Sequence, residues 1–251
     1  MISEFPLFIF TTLGGLSAGL VMAMAAFPPA EKPARPWLAP LTALVLLGIG
    51  MLGVLFHLKR PALFLLALRN PTAGIAQEAY CGIVLGVLLL VLLIVCWRKG
   101  EAPKALVWVT AAVSLIMTFI MGFAYLANVG TAAWANWTTI PLFVVGDIAM
   151  GLALWAILSK DVLAKRPFTL ANIVVLAVLA VVMLLTGLHF GSVGNDAMLI
   201  YAGLVVAGLG GIAVSVAAQK APASWQAGAL IACVLVGVCL SRYGFYAASI
   251  I

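Results

Sequence analysis

An all-α integral membrane protein that crosses the bilayer eight times, with both termini outside the cytoplasm, is the fold class this sequence predicts. Three observations carry that reading. The 251 residues are 66% hydrophobic and only 8% charged, and the mean hydropathy is +1.26, too few charges to coat a water-soluble sphere of this size. The apolar residues fall into eight runs, each long enough to cross about 30 Å of hydrocarbon at 1.5 Å per helical residue. The basic residues gather in alternate gaps between those runs, as topology signals do.

The runs span approximately 5–27, 37–58, 77–97, 105–127, 138–158, 170–190, 197–217 and 226–248. They read as helices because backbone in lipid must satisfy its own hydrogen bonds, and the alternating pattern of a porin strand is absent. The first run lacks a basic leading segment, carries Glu4 and is long enough to span, so it reads as a retained helix rather than a signal peptide. The connections are short, with prolines at or near the run edges, where a missing N–H is tolerated. No linker divides the chain, and residues 1–251 read as a single transmembrane domain. Gly208, Gly210 and Gly211 read as a close-packing face rather than a phosphate loop. Cys81, Cys96, Cys233 and Cys239 all lie in apolar runs without metal-finger spacing and read as small buried hydrophobes.

The excess of 13 Lys+Arg over 7 Asp+Glu does not point to nucleic acid, because these charges form no patch interleaved with aromatics. One set of loops carries Lys32, Arg35, Arg98, Lys99, Lys104, Lys160, Lys165, Arg166 and Lys220, whereas the other carries only Lys59, Arg60 and Arg69. The positive-inside rule therefore puts both termini outward. Lys59, Arg60 and Arg69 then stand as the exception to the bias, in a loop suited to an anionic partner surface, a lipid head group or simple snorkelling.

That loop belongs to a stretch, Gly48 to Gly82, in which His57, Lys59, Arg60, Arg69 and Glu78 crowd five ionisable groups into 22 positions. On the predicted topology, His57, Glu78, Tyr125, His189, Arg242, Tyr243 and Tyr246 all fall towards the outward face. Ionisable groups at membrane depth are costly, so His57, Glu78 and Arg242 are the candidate functional residues. A histidine, which ordinarily titrates near neutrality, and a carboxylate beside an apolar cleft can accept the protons of a quinol as its electrons leave. Arg242 is expected to hold Glu78 ionised or to touch the quinol oxygen. Asp147, mid-span, reads either as a protonated group bonded to a neighbouring helix or as part of a proton path. Trp134 and Trp137 read as interface-belt aromatics. Two histidines, His57 and His189, are too few for two bis-histidine haems, so neither haem nor metal is expected in this chain.

Three segments, EFPLFIFTTLGGLSAGL, GIGMLGVLFHLKRP with the following Arg69 and Glu78, and RYGFY, resemble the membrane-anchor subunit of dimethyl-sulfoxide-reductase-type molybdoenzymes, distantly similar to the polysulfide-reductase membrane subunit. The resemblance implies a multi-pass subunit of the prokaryotic cytoplasmic membrane in which His57 and Glu78 bind and oxidise menaquinol. Tyr125, His189, Arg242 and Tyr243 would support that site. It further implies two partners: an iron–sulfur subunit, docked near Lys59, Arg60 and Arg69, and a molybdopterin catalytic subunit that performs the terminal reduction. A small transporter and a haem b subunit are the competing readings, the first disfavoured by the lack of a visible inverted repeat.

The orientation is directly testable by cysteine labelling in intact cells. A cysteine introduced within 66–72 should react with a membrane-impermeant reagent, and one within 160–166 should not. The reverse pattern inverts the topology.

Overall fold

The structure, a computed structural model, describes residues 4–29, 33–57, 64–159 and 162–248, with the side chains of His57, Leu65 and Ala67 outside the description. The described residues contain helices and turns but no strand. Ten helices follow in order: α1 (Phe5–Ala26), α2 (Leu38–His57), α3 (Phe64–Ala67), α4 (Gly74–Lys99), α5 (Lys104–Leu126), α6 (Thr139–Leu158), α7 (Arg166–Ser192), α8 (Met198–Gly203), α9 (Gly211–Lys220) and α10 (Gln226–Ala247). A π-helical stretch, Leu204–Gly210, joins α8 to α9, so that Met198–Lys220 is one continuous span. Eight helical segments are long and apolar enough to cross a membrane, and they coincide with the eight runs read from the sequence.

The differences in detail have local causes. α4 runs on to Lys99, where Arg98 and Lys99 place positive charge against the carbonyl end of the helix. Gly100 then closes it in the left-handed conformation at φ 69°, its amide bonded to the Cys96 carbonyl. α7 starts at Arg166, earlier than its hydropathy suggests, because Pro167 is pre-set for a first helical turn. The short α3 occupies the connection between α2 and α4. The π-helical stretch was not anticipated; it lies where Gly203 and Gly208 bring the backbone close to α10 and α7.

α1 is the centre of the bundle. It packs on α2, α5, α6 and α10, and 72% of its most apolar stretch is buried, against 33% for α4. Its small residues permit this: Gly15 and Gly19 lie one turn apart on the face turned to α6, where a Cβ would overlap Asp147. Gly151 of α6 faces Gly19 with no room for a side chain on either. In lipid there is little hydrophobic gain from helix association, so close backbone approach and interhelical hydrogen bonds do that work. Ser17 Oγ donates to the Ala43 carbonyl at 2.7 Å, Asn172 Nδ2 to Ser215 Oγ at 2.7 Å, and Trp155 Nε1 to the Phe27 carbonyl at 2.9 Å. Gly208 and Gly211 pack on α7 through Ala180 and Leu176, the close-packing role expected of that glycine cluster.

The α1–α6 contact predicts an asymmetry between glycines. Gly151→Ala should cost about 1–3 kcal/mol, because its Cβ meets the backbone of Gly19 and neither helix can yield alone. Gly48→Ala, with nothing within 4 Å, should leave thermal unfolding in detergent unchanged or slightly improved. Equal melting of the two variants would show that the α1–α6 contact is not tight.

Candidate functional site

The candidate residues gather at the end of the bundle where α1 starts and α10 ends. The contact between Gly82 of α4 and Met51 of α2 sets the level from which to measure. His57 lies six residues beyond Met51 and Glu78 four before Gly82, which places them about 9 Å and about 6 Å along their antiparallel helices in the same direction. The first turn of α4 also meets the last of α5, since a Cβ on Gly74 would touch Ala124 at 3.5 Å. Glu78 is therefore enclosed by α2 and α5 and is only 5% exposed. Its Oε1 has no hydrogen-bond partner among the described residues, an expensive condition for a carboxyl oxygen inside a bundle. The His57 side chain lies outside the described residues.

Beside Glu78 stands an aromatic wall. Tyr125 stacks on Phe143 at 5.2 Å and meets Trp134, Phe245 and Tyr246 edge-on. Its carboxylate neighbours, within electrostatic reach, are Glu78 and Glu4. The hydroxyls order themselves by counting protons. Thr11 donates its one proton to the Leu7 carbonyl at 3.0 Å, so its oxygen accepts from the Tyr246 hydroxyl, 3.0 Å away. Tyr246 is in turn bonded to Tyr125. This row of hydroxyls ties α1, α5 and α10 together next to Glu78. Thr11 carries no sequence signal, being one of three hydroxyl residues in an apolar run, with Thr12 and Ser17.

Arg242 does not pair with Glu78. Its guanidinium is 1% exposed and forms an ion pair with Asp147, donates to the Thr11 carbonyl, and lies 4.9 Å over the Phe143 ring. Asp147 reaches it across Gly15, where the missing side chain leaves space for the carboxylate. The expectation that Arg242 would hold Glu78 ionised is thus corrected, because Asp147 supplies the buried counter-charge one helix away. Asp147, which the sequence had left open between a protonated group bonded to a neighbouring helix and a proton path, is ion-paired with Arg242 of α10.

Other residues sort by environment. Trp134 is not an interface residue: it is 4% exposed, stacked on Phe245, and its Nε1 donates to the Phe245 carbonyl at 2.8 Å. Trp137, 64% exposed, keeps the belt position. The His189 Nε2 lies 3.1 Å from the Ala132 carbonyl, which joins α7 to the α5–α6 connection, and Tyr243 sits edge-on to Phe8. Arg69 is exposed in the turn after α3, and Tyr80 of α4 donates to the Leu68 carbonyl beside it. Lys59 and Arg60 lie outside the described residues. Among the described residues, no group of three His, Cys, Asp or Glu side chains is placed to hold a metal ion.

An eight-span helical bundle with a buried carboxyl and an aromatic wall at one end is the architecture of a polytopic membrane protein. The family model for the DMSO reductase anchor subunit (DmsC) matches residues 1–241, and the chain belongs to that family. Membership implies a membrane-anchor role in a DMSO-reductase-type complex with catalytic and iron–sulfur subunits. No curated protein matches the chain.

The Arg242–Asp147 pair makes a prediction about stability. Arg242→Met or Asp147→Leu alone should cost about 3–5 kcal/mol, because each leaves a buried charge without its partner. The double variant should recover much of that loss in thermal unfolding. Additive losses would mean that the two side chains are not coupled.

Proposed function

We propose that this anchor subunit oxidises menaquinol and passes its electrons to an iron–sulfur subunit, which relays them to a molybdopterin catalytic subunit. The observation that carries the reading is the buried Glu78 carboxyl, whose Oε1 has no hydrogen-bond partner among the described residues, facing the same end of the bundle as the end of α2 at His57. A carboxylate held in this way has its hydrogen-bonding capacity reserved for something that enters from outside the fold. A quinol hydroxyl is such a group, with an apolar ring to lie against the aromatic wall and a tail to run between helices.

In this mechanism the quinol gives up two electrons and two protons. His57 takes one proton and Glu78 the other, each by hydrogen bonding to a quinol oxygen before transfer. Tyr125 holds its hydroxyl in the row that ends at Thr11 and so presents a rigid edge beside Glu78. Arg242 acts at a distance from the chemistry, by fixing α10 against α1 and α6. The electrons leave to the partner's cluster, while the protons leave on the outward side. The subunit sits in the prokaryotic cytoplasmic membrane with both termini and the 59–76 loop outward. That loop, with Lys59, Arg60 and the exposed Arg69, is the docking surface for the iron–sulfur subunit.

The test feeds electrons to the assembled complex by two routes, a quinol analogue and a dye that reduces the soluble subunits directly. His57→Phe should lower the quinol route by about 10²–10⁴-fold, the usual worth of a positioned acid–base group, with the dye route intact. Glu78→Gln should lower it less. In the parent, activity should rise with pH as the carboxyl loses its proton and becomes able to accept one; that limb should vanish in Glu78→Gln. Normal quinol activity in both variants overturns the site, and equal loss by both routes would trace the defect to assembly. In the same membranes, Arg69→Glu should reduce retention of the iron–sulfur subunit at low salt, and the difference from the parent should shrink as salt screens the exposed charges.

A further inference from the structure

A cavity lies at the other end of the bundle from Glu78, and the site above makes no use of it. It encloses about 580 Å³ between the end of α1, the start of α2, the start of α5 and the end of α6, within the range of small-molecule sites. Its walls change character with depth. The inner surface is apolar and buried, formed by Met24, Ala39, Val107 and the Trp155 ring. Trp155 is fixed in that wall by its hydrogen bond to the Phe27 carbonyl. The mouth is charged and exposed: Arg35 from the α1–α2 connection and Lys104 from the first residue of α5 lie on it, with Glu101 between the helices.

The depth of the mouth is marked independently. Trp108, on the rim, is 59% exposed, and Trp97, near the end of α4, is 76% exposed. Exposed indoles on spanning helices settle at the level of lipid head groups. A pocket at that level, with an apolar interior and, among the described residues, two cations and one carboxylate at its mouth, suits an amphiphile with an anionic head. It also lies at the end of the bundle that carries the excess Lys and Arg, where basic pockets between helices take lipid phosphates.

We propose that this cavity is a binding site for an anionic phospholipid, its phosphate held by Arg35 and Lys104 and one acyl chain laid against Ala39, Val107 and Trp155. Glu101 selects against a second negative charge at the mouth, which favours a singly charged head such as phosphatidylglycerol over a more acidic one. The bound lipid fills the space between the end of α1 and the starts of α2 and α5. The site is independent of quinol chemistry, and its test does not read activity.

Full-length protein in mild detergent is exchanged into defined mixtures of phosphatidylglycerol and phosphatidylcholine, and retained lipid is counted by native mass spectrometry. The expected result is one tightly held phosphatidylglycerol per chain. Arg35→Gln with Lys104→Gln should weaken it by about 30-fold, from two basic contacts of ordinary surface strength. Ala102→Trp, which narrows the cavity and keeps both cations, should weaken it as well. Lys99→Ala, an exposed basic residue outside the cavity, should leave it in place. The proposal is overturned by equal retention of phosphatidylcholine, by retention unchanged in the two cavity variants, or by an equal loss in Lys99→Ala, which would mean diffuse attraction to basic residues. Displacement of the lipid by inorganic phosphate alone would make this a free-phosphate site and overturn it too.

Discussion

The buried junction of Arg242, Asp147 and the Thr11 carbonyl is the constraint on which the arrangement of the helices depends. It joins α10, α6 and α1 at one point. A guanidinium and a carboxylate in a bundle interior are costly to leave unpaired, so any packing that separates these three helices is strongly disfavoured. Apolar side chains in lipid specify helix register poorly, because the tails outside are as apolar as the neighbours inside. A charged pair of this kind supplies the missing specificity. The glycines follow from it: Gly15 gives the Asp147 carboxylate its space, and Gly19 and Gly151 let α1 and α6 close to backbone contact above it.

This junction also organises the functional end without taking part in its chemistry. Thr11 lies on both sides of the division, since its carbonyl accepts from Arg242 and its hydroxyl from Tyr246. The Tyr246–Tyr125 row is thereby referenced to the same point on α1, and Tyr125 forms the edge beside Glu78. A rigid wall on one side and a buried carboxyl on the other suit the quinol site proposed there. The polar atoms there are positioned before the ligand arrives.

The two ends of the bundle are chemically different for one reason. A buried carboxyl, Glu78, and a row of hydroxyls lie beside aromatic rings at one end, whereas Arg35, Arg98, Lys99, Lys104, Lys165, Arg166 and Lys220 stay exposed at the other. Enclosed groups of that kind suit proton exchange, and the exposed cations around an apolar cavity suit a lipid phosphate. The long connection between α2 and α4 breaks the pattern, bringing Arg69 to the first end, where a soluble partner has to be held.

The sequence by itself determined the membrane class, the eight spans and the end to which His57 and Glu78 belong. These depend on local properties, run length and chain direction, which need no knowledge of neighbours. Two of the three family-like segments likewise lie within single helices, α1 and α10. What only the tertiary structure decided is who meets whom. Asp147 and Arg242 are 95 positions apart and Thr11 and Tyr246 are 235 apart, and nothing in either local stretch announces the partner. Sequence reasoning therefore expected Arg242 to hold Glu78 ionised or to touch the quinol oxygen, and placed Trp134 at the interface because it lies in a connection. The bundle put Trp134 against Phe245 and gave Arg242 to a mid-span aspartate. In a chain this apolar, many helix rotations bury equal area, and the few polar contacts that choose among them are made between distant segments.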